Sequence, residues 1–352
     1  MEKNNQKKLK VVVGLSGGID SAVAAKLLQE KDFDVVGVHL KLWNEKKDIL
    51  KKREELVKKI TKKLKIPLII VNAQQEFLNY TIKQFLNELK RGRTPNPCVD
   101  CNYFVKFSLL DKIAKKIKAK YLATGHYARI KKENGIFYLL KGKDNEKDQS
   151  YFLWRLNQKL LKKIIFPLGE FQKNEVKKMA EFWGLNFKKN YSESQDLCFV
   201  NNLEKFIEQK LKKQTGAIID LTTNKIIGKH PGVYFFTIGQ RKNIRVPGPE
   251  PYYVIKKDAK KNLLFVAPAS AKKSFQNNYC QLEKVNFILP QIKLPLRCGV
   301  KIRYKTKMLP ATLYKKDGAY FLQFKKPVQF LTPGQSAVFY QKDKVIGGGV
   351  IK

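Results

Sequence analysis

Histidine, cysteine and acidic residues are all scarce in this chain, and each shortage removes a class of protein. The three histidines in 352 residues, His39, His126 and His230, are too scattered for a histidine-rich metal site. The five cysteines, Cys98, Cys101, Cys198, Cys280 and Cys298, are odd in number and argue against a disulfide framework. No stretch approaches the ~20 apolar residues needed to span a bilayer. The N-terminus, Met1 to Lys10, is charged and runs straight into Val11-Val12-Val13, without the apolar core and cleavage site of a secretory signal. The expectation is a cytoplasmic protein whose thiols are buried hydrophobes, metal ligands or reactive groups.

Acidic residues number 30 against 71 Lys and Arg, a formal net charge of +41. Such a surface attracts polyanions, nucleic acid above all. Lysine far outnumbers arginine and Asn is frequent, a pattern that an AT-rich genome also produces, so charge alone leaves the partner open. The length suits two or three domains, and 43% hydrophobic residues suffice for globular cores.

The first ~200 residues alternate short apolar runs with amphipathic stretches, a spacing that predicts strands and helices in turn. Strands are expected at Val11–Leu15, Val35–Leu40, Leu68–Val71 and Tyr121–Thr124. Helices are expected at Ser21–Glu30, Leu50–Leu64, Glu76–Leu89 and Phe104–Ile117. That order predicts an α/β domain with a parallel sheet covered on both faces. Asn134-Gly135 between apolar runs predicts a hairpin. Helical patterns follow near Gln158–Ile165 and Lys173–Trp183. After about Lys210 the helical period fades into short alternating runs. Strands at Val300–Tyr304, Ala311–Tyr314, Ala319–Phe324, Ser336–Tyr340 and Val345–Ile351 suggest a small barrel, with Asp317-Gly318 turning between two of them. The expected domains are residues 1–208, a small β-rich 209–275 and a β-barrel 276–352.

The sharpest motif is Gly14-Leu15-Ser16-Gly17-Gly18-Ile19-Asp20-Ser21, between a strand and a helix. Its glycines let backbone N–H groups approach an anion, and the helix N-terminus adds positive potential. Ser16 and Ser21 add hydroxyl donors, while Asp20 is expected to face Mg²⁺ or to orient the loop. Neither a Walker loop nor the dinucleotide spacing fits. The plain alternative is a Gly-rich turn capped by Asp20. The string resembles that of the pyrophosphate-loop ATPases. That resemblance implies cleavage of ATP between the α- and β-phosphates and adenylation of a substrate oxygen.

Thr94-Pro95-Asn96-Pro97-Cys98-Val99-Asp100-Cys101-Asn102 holds two thiols in a Pro-punctuated loop, with a helix expected from Tyr103. A helix N-terminus favours thiolate, which places Cys101 like a nucleophile. Ser194-Gln195-Asp196-Leu197-Cys198-Phe199 offers a third thiol. A structural zinc site wants four ligands, and only one C-x-x-C exists. Cys98, Cys101 and Cys198 also match the count for an iron–sulfur cluster with an open iron, and that reading stays open. Cys280 and Cys298 read as buried hydrophobes.

Taken with Ala123–Arg129, Lys147–Leu153, Thr237–Lys242, Lys301–Tyr304, Thr332–Phe339 and Gly347-Gly348-Gly349, these segments resemble, in order and spacing, the bacterial tRNA-specific 2-thiouridylase family across nearly the whole chain. The resemblance implies ATP-dependent 2-thiolation of the wobble uridine, position 34, of tRNA. Adenylation of the C2 oxygen would be followed by sulfur transfer from a cysteine persulfide. It implies ATP phosphates on Gly14, Leu15, Ser16, Gly17, Gly18, Ile19, Asp20 and Ser21, with Leu40 and Gly125 beside the adenine or ribose. Cys101 matches the nucleophile and Cys198 the persulfide carrier. Asn96, Pro97 and Cys98 fall where the family meets the target base. His126, Lys147, Asp148, Gln149, Arg303, Tyr304 and Gln335 match tRNA-contacting positions. By themselves, His126 could satisfy a buried carbonyl, Lys147 be one more solvated lysine, and Arg303 and Tyr304 be ordinary strand residues. The implied cofactors are ATP and Mg²⁺, with a [4Fe-4S] cluster as the alternative. The implied partners are tRNA and a sulfur-relay protein or cysteine desulfurase, with no membrane. Cys98 stands where many members carry Asp, the segment from Trp43 to Leu50 is short, and Asn243-Ile244 replace the more usual Gly-Leu.

Overall fold

A computed structural model describes residues 8–43, 47–185, 197–200 and 202–352. Its first sheet is parallel, in the order β3 (Leu68–Asn72), β2 (Asp34–Lys41), β1 (Lys10–Gly14), β4 (Tyr121–Ala123) and β7 (Ile164–Ile165). The alternation of β1 explains the layering. Val11 and Val13 pack with Ala22, Ala25, Val57 and Val176 on one side. Val12 packs with Leu110, Leu122 and Trp154 on the other. The first side is covered by α1 (Ile19–Glu30), α2 (Lys47–Leu64) and α8 (Lys173–Phe182). The helical pattern near Gln158–Ile165 divides: α7 covers only Gln158–Leu161, and Ile164-Ile165 becomes the edge strand. Two β-branched residues beside β4 gain ladder bonds that a single further turn of helix would not supply.

The helix expected at Glu76–Leu89 forms as α3 (Gln74–Phe77), a π-helical stretch Leu78–Ile82, and α4 (Lys83–Lys90). The helix expected from Phe104 starts earlier. Asn96 caps α5 (Pro97–Asp100), a π-helical stretch Cys101–Phe107 follows, and α6 (Ser108–Lys116) completes it. Pro97 at the first helical position and the Asn96 side chain, which accepts from the Cys98 N–H at 3.2 Å, explain the early start.

After α9 (Leu203–Lys210), β8 (Gly216–Asp220), β9 (Ile226–His230), β10 (Tyr252–Asp258) and β11 (Leu263–Pro268) form a small sheet in the order β10-β11-β8-β9. The last unit is β12 (Gln276–Phe287), β13 (Leu296–Lys301), β14 (Leu309–Lys316), β15 (Ala319–Gln329), β16 (Ser336–Gln341) and β17 (Lys344–Ile351). Pairing of β12 with both β15 and β17 closes a six-stranded antiparallel barrel, one strand more than the sequence pattern suggests. The hairpin β5 (Ala128–Glu133) and β6 (Ile136–Lys141), turned at Asn134-Gly135 with both φ angles positive, extends the barrel sheet along β17. Lys344 to Glu133, at 2.7 Å, ties this seam. The first domain and the barrel therefore share one continuous sheet.

Candidate active site

β1 lies between β2 and β4 in the sheet. The connections from its two neighbours leave in opposite directions there, opening a crevice at the strands' carboxyl ends. Residues 15–18 turn through this crevice into α1. Gly17 has φ +84°, and a Cβ there would meet the Arg53 carbonyl oxygen at 3.2 Å. Gly18, the N-cap of α1, has no side chain to cap the first turn, and its own N–H donates to the Ser16 hydroxyl at 3.3 Å; a helix start of this kind suits an anion. The Ser16 and Ser21 hydroxyls lie 3.3 Å apart, and Ser21 donates to the Gly18 carbonyl at 2.9 Å. Gly125, just after β4, presses on the same turn; a Cβ there would sit 2.8 Å from the Asp20 carbonyl carbon. Buried His39 bonds the Leu15 carbonyl at 2.8 Å, pinning the loop's start, and burial lowers its pKa. Leu40, next to it and one residue before the end of β2, is half-buried.

Asp20 does not stand free. Its carboxylate takes Lys173 Nζ at 2.7 and 2.9 Å and the Tyr127 hydroxyl at 2.8 Å. The first residue of α8 thus balances the loop's acid, and the carboxylate holds the turn to α8. An Mg²⁺ reaching this crevice would come with the ATP, whose phosphates and waters supply most of its ligands.

The thiols depart from the expectation of a ready thiolate. Cys101 lies one helical turn beyond the start of α5 and is 3% exposed. Burial pushes its thiol up to about 12; Lys106 and the Thr81 hydroxyl oppose this, while the nearby Cys198 and Cys98 sulfurs reinforce it. The helix start belongs to Cys98, which burial likewise raises to about 11. Early helix formation explains the correction: the residue the sequence pattern puts at the N-terminus sits inside the helix, among Phe77, Phe85 and Val105. Phe199 packs on Phe77, Phe85 and Phe206 and brings the turn of Cys198 to the same place, where the Arg53 guanidinium donates to the Cys198 carbonyl at 3.3 Å. Ser194, Gln195 and Asp196 lie outside the described residues. Among the described residues no disulfide joins any of the five cysteines. Among the described residues no three His, Cys, Asp or Glu side chains converge on a common metal position. Cys98, Cys101 and Cys198, as placed, therefore do not fit a shared cluster.

Lys106 is the centre that sequence reasoning missed. Burial would depress its ammonium, yet the Cys101, Cys198 and Cys98 sulfurs raise its pKa overall. It donates to Asn102 Oδ1 at 3.1 Å. In a π-helical turn, residues five apart come near one face, which carries Lys106 back toward Cys101. Across from it, Thr81 is 2% exposed and its hydroxyl makes no regular hydrogen bond; the group it acts on is Cys101. At neutral pH the arrangement is a charged amine beside a neutral thiol. No local motif marks Lys106, one of 71 basic residues.

The expected tRNA positions divide. His126 Nδ1 lies 2.7 Å from the Thr124 hydroxyl, and its ring stacks on Phe107 at 5.9 Å. Burial, then Lys106, lower its pKa to about 3, so it is a neutral imidazole. Asp148 is 2% exposed and accepts from the Gly142 and Ser150 N–H groups. Gln149 accepts from the Tyr127 N–H, and the Lys147 N–H donates to Asp144. Arg303 and Tyr304 lie beyond the end of β13 rather than in a strand, because the chain turns after Lys301. The Arg303 guanidinium donates to the Ile238 and Phe330 carbonyls and to Thr332, joining the central sheet to the barrel. Tyr304 packs on Phe152 at 4.6 Å. Gln335 donates to the Thr94 carbonyl at 2.8 Å, and the Thr94 N–H donates to Pro333. The barrel thereby grips the loop of Asn96, Pro97 and Cys98. The crevice beside Asn96, lined also by Arg155, Lys284 and Gly334, measures about 30 Å³, room for a water and not for a base. A roomier cavity of about 380 Å³ is lined by Lys41, Glu54, Lys58 and Gln74 and by no cysteine.

Family models described as the tRNA methyl transferase HUP domain, the tRNA methyl transferase PRC-barrel domain and the Aminomethyltransferase beta-barrel domain match residues 9–202, 204–268 and 277–351. The tRNA-specific 2-thiouridylase MnmA 1 of Geobacillus kaustophilus is 40% identical over 98% of this chain and 96% of its own length. The tRNA-specific 2-thiouridylase MnmA of Buchnera aphidicola is 38% identical over 99% of this chain and 98% of its own. Among solved structures, the U34-tRNA thiolase NcsA from Methanococcus maripaludis with its [4Fe-4S] cluster is 22% identical, covers 58% of this chain and 67% of that one, and has a TM-score of 0.36.

Proposed function

The chain belongs to the tRNA-specific 2-thiouridylase family, and from that premise we propose that it converts the wobble uridine of tRNA to 2-thiouridine through an adenylated base and a cysteine persulfide. It is a tRNA sulfurtransferase that uses ATP. Mg-ATP lies along Gly14–Ser21, with Leu40 and Gly125 on its nucleoside side. Residues 1–208 carry the chemistry, and 209–275 and 276–352 hold the anticodon arm. The uridine leaves its stack, since its C2 is unreachable there. The C2 oxygen attacks the α-phosphorus, the α–β bond breaks, and pyrophosphate departs.

Cys198 carries the sulfur as a persulfide loaded by a relay protein or a cysteine desulfurase. The terminal sulfur attacks C2 and AMP leaves with the oxygen. Cys101, as thiolate, then attacks the Cys198 sulfur. The C2–sulfur bond keeps the electron pair as thiocarbonyl, and a Cys101–Cys198 disulfide forms, which a cellular thiol reduces for the next turnover. Lys106 stabilises the thiolate of Cys101, and Thr81 donates to it. His126, neutral, offers its free ring nitrogen to the target nucleotide without charge. A cluster does not fit the three thiols as placed, and no step here runs through one.

The observation that carries this reading is the meeting of Cys101 and Cys198, from distant parts of the chain, around one lysine. The test is to incubate iron-free protein with unmodified tRNA, Mg-ATP and a persulfide donor, and to examine the digested nucleosides by mass spectrometry. ATP-dependent 2-thiouridine is expected. Product only after anaerobic iron–sulfur reconstitution would overturn the persulfide route, and product in neither case would overturn thiolation itself.

A further inference from the structure

The two π-helical stretches do more than surround Cys101. In Cys101–Phe107, the side chains of Cys101, Asn102, Val105 and Phe107 are buried, while Phe104 is turned outward and 37% exposed. In Leu78–Ile82, Thr81 and Ile82 are buried, while Tyr80 is 48% exposed. The two outward rings meet: their centroids are 5.5 Å apart and their planes differ by 14°. Tyr103 supports Phe104 edge-on at 5.0 Å. The Arg155 guanidinium lies 5.4 Å from the Phe104 ring, fixed by an ion pair with Asp100 at 2.8 Å. A single exposed aromatic is ordinary. A stacked pair, braced from below and bordered by a cation, three residues from a candidate nucleophile, is a built surface.

What fits a flat π-surface beside cations is a nucleobase with its phosphate. Extrusion of the target uridine leaves its neighbours without a stacking partner, and single-stranded RNA is held by such aromatic faces. Resting on the thiolation reading above, the geometry points to Tyr80 and Phe104 as a stacking platform for an anticodon-loop base adjacent to the target uridine. The platform replaces the stacking lost on extrusion and so fixes which uridine reaches Cys101. Lys83, one turn beyond Tyr80 and bonded to Asn79 at 2.8 Å, adds a second cation near this surface.

The test measures binding of an unmodified anticodon stem-loop RNA to wild type, Phe104→Ala, Phe104→Leu and Tyr80→Ala across a salt series. Circular dichroism and melting confirm the fold of each. Each variant is expected to bind about tenfold more weakly at every salt concentration, because one base–aromatic stack is lost. The slope against salt should stay unchanged, since no phosphate contact is removed. Phe104→Leu keeps the apolar bulk without the aromatic face and should weaken binding like alanine, whereas Phe104→Trp should restore it. With an abasic nucleotide next to the uridine, wild type should fall to the level of the variants. Wild-type affinity in folded Phe104→Leu, or an unchanged variant penalty with the abasic RNA, would overturn the platform while leaving thiolation standing. Wild type that binds but never thiolates would instead overturn the reading on which the platform rests.

Discussion

The phosphate loop and the thiol cluster are built in opposite ways. The loop is contiguous: eight successive residues, Gly14–Ser21, carry its glycines, hydroxyls and helix start, and distant residues only brace them. The thiol cluster is assembled from three places, the Cys98–Lys106 helix, the Thr81 turn and the Cys198 turn, and its electrostatics come from burial. Within the loop, the Ser16 and Gly18 N–H groups donate to the Ser21 and Ser16 hydroxyls, and the Ser21 hydroxyl donates to the Gly18 carbonyl. The cluster holds its thiol in the neutral state, where it is inert until it ionises.

The largest effects separate the two regions outright. Cys101→Ser and Cys198→Ser should each lower thiolation by ~1000-fold or more, as expected when a covalent step is removed. tRNA affinity should stay within about twofold, because Cys101 is buried and Cys198 packs on the same apolar cluster. Loss of binding in both would show that the cluster is part of the RNA surface. Next in size is Asp20→Ala, which strips Lys173 of its carboxylate and frees the turn. Pyrophosphate release should fall about a hundredfold, and the fold should lose about 2 kcal/mol as a buried ammonium loses a carboxylate. Retained ATP turnover would sink the assignment of Asp20 to the loop.

Lys106→Met sharpens the contrast, since it removes the ammonium beside the thiols and leaves the Gly14–Ser21 loop intact. Below about pH 12 the Cys101 thiolate is the minor form, so single-turnover sulfur transfer should rise with pH, about tenfold per unit. Removing the ammonium should displace the whole line by about one unit, a tenfold loss at each pH, with ATP binding unchanged. A rate that ignores pH in both proteins would argue that Cys101 ionisation is not limiting. The smallest effect lies in the barrel. Burial pushes the Cys280 thiol from 9.0 to about 12. The unfolded chain ionises first, so this stabilisation is complete below about pH 9 and is lost as pH rises toward 12. Cys280→Ala should reduce the alkaline fall in melting temperature by about 2 °C. An identical alkaline profile would place that loss elsewhere.

Legibility followed the same division. β1, β2 and α1 emerge from apolar period and turn chemistry, with ends displaced by a residue or two. Asn134-Gly135 and Asp317-Gly318 both adopt the positive φ angles that their composition demands. The start of the cysteine helix was written in Asn96-Pro97 as a cap and a first-turn proline, yet two prolines in four residues read as loop. β12 was missed because its polar stretch, Gln276-Asn277-Asn278-Tyr279, hides the period of a strand whose partners lie far along the chain.

The sequence by itself determined the order of domains, the family and the glycine-rich turn between β1 and α1, because each rests on neighbouring residues whose local geometry is set by backbone and turn chemistry. Only the tertiary structure decided that Lys173 balances Asp20, that Lys106 serves three sulfurs, that Arg303 and Gln335 bind protein groups, and that Cys101 is a buried neutral thiol. The reason is physical. Ionisation and ion pairing depend on desolvation and on charges brought near through space, and neither quantity is a property of any stretch of chain taken alone.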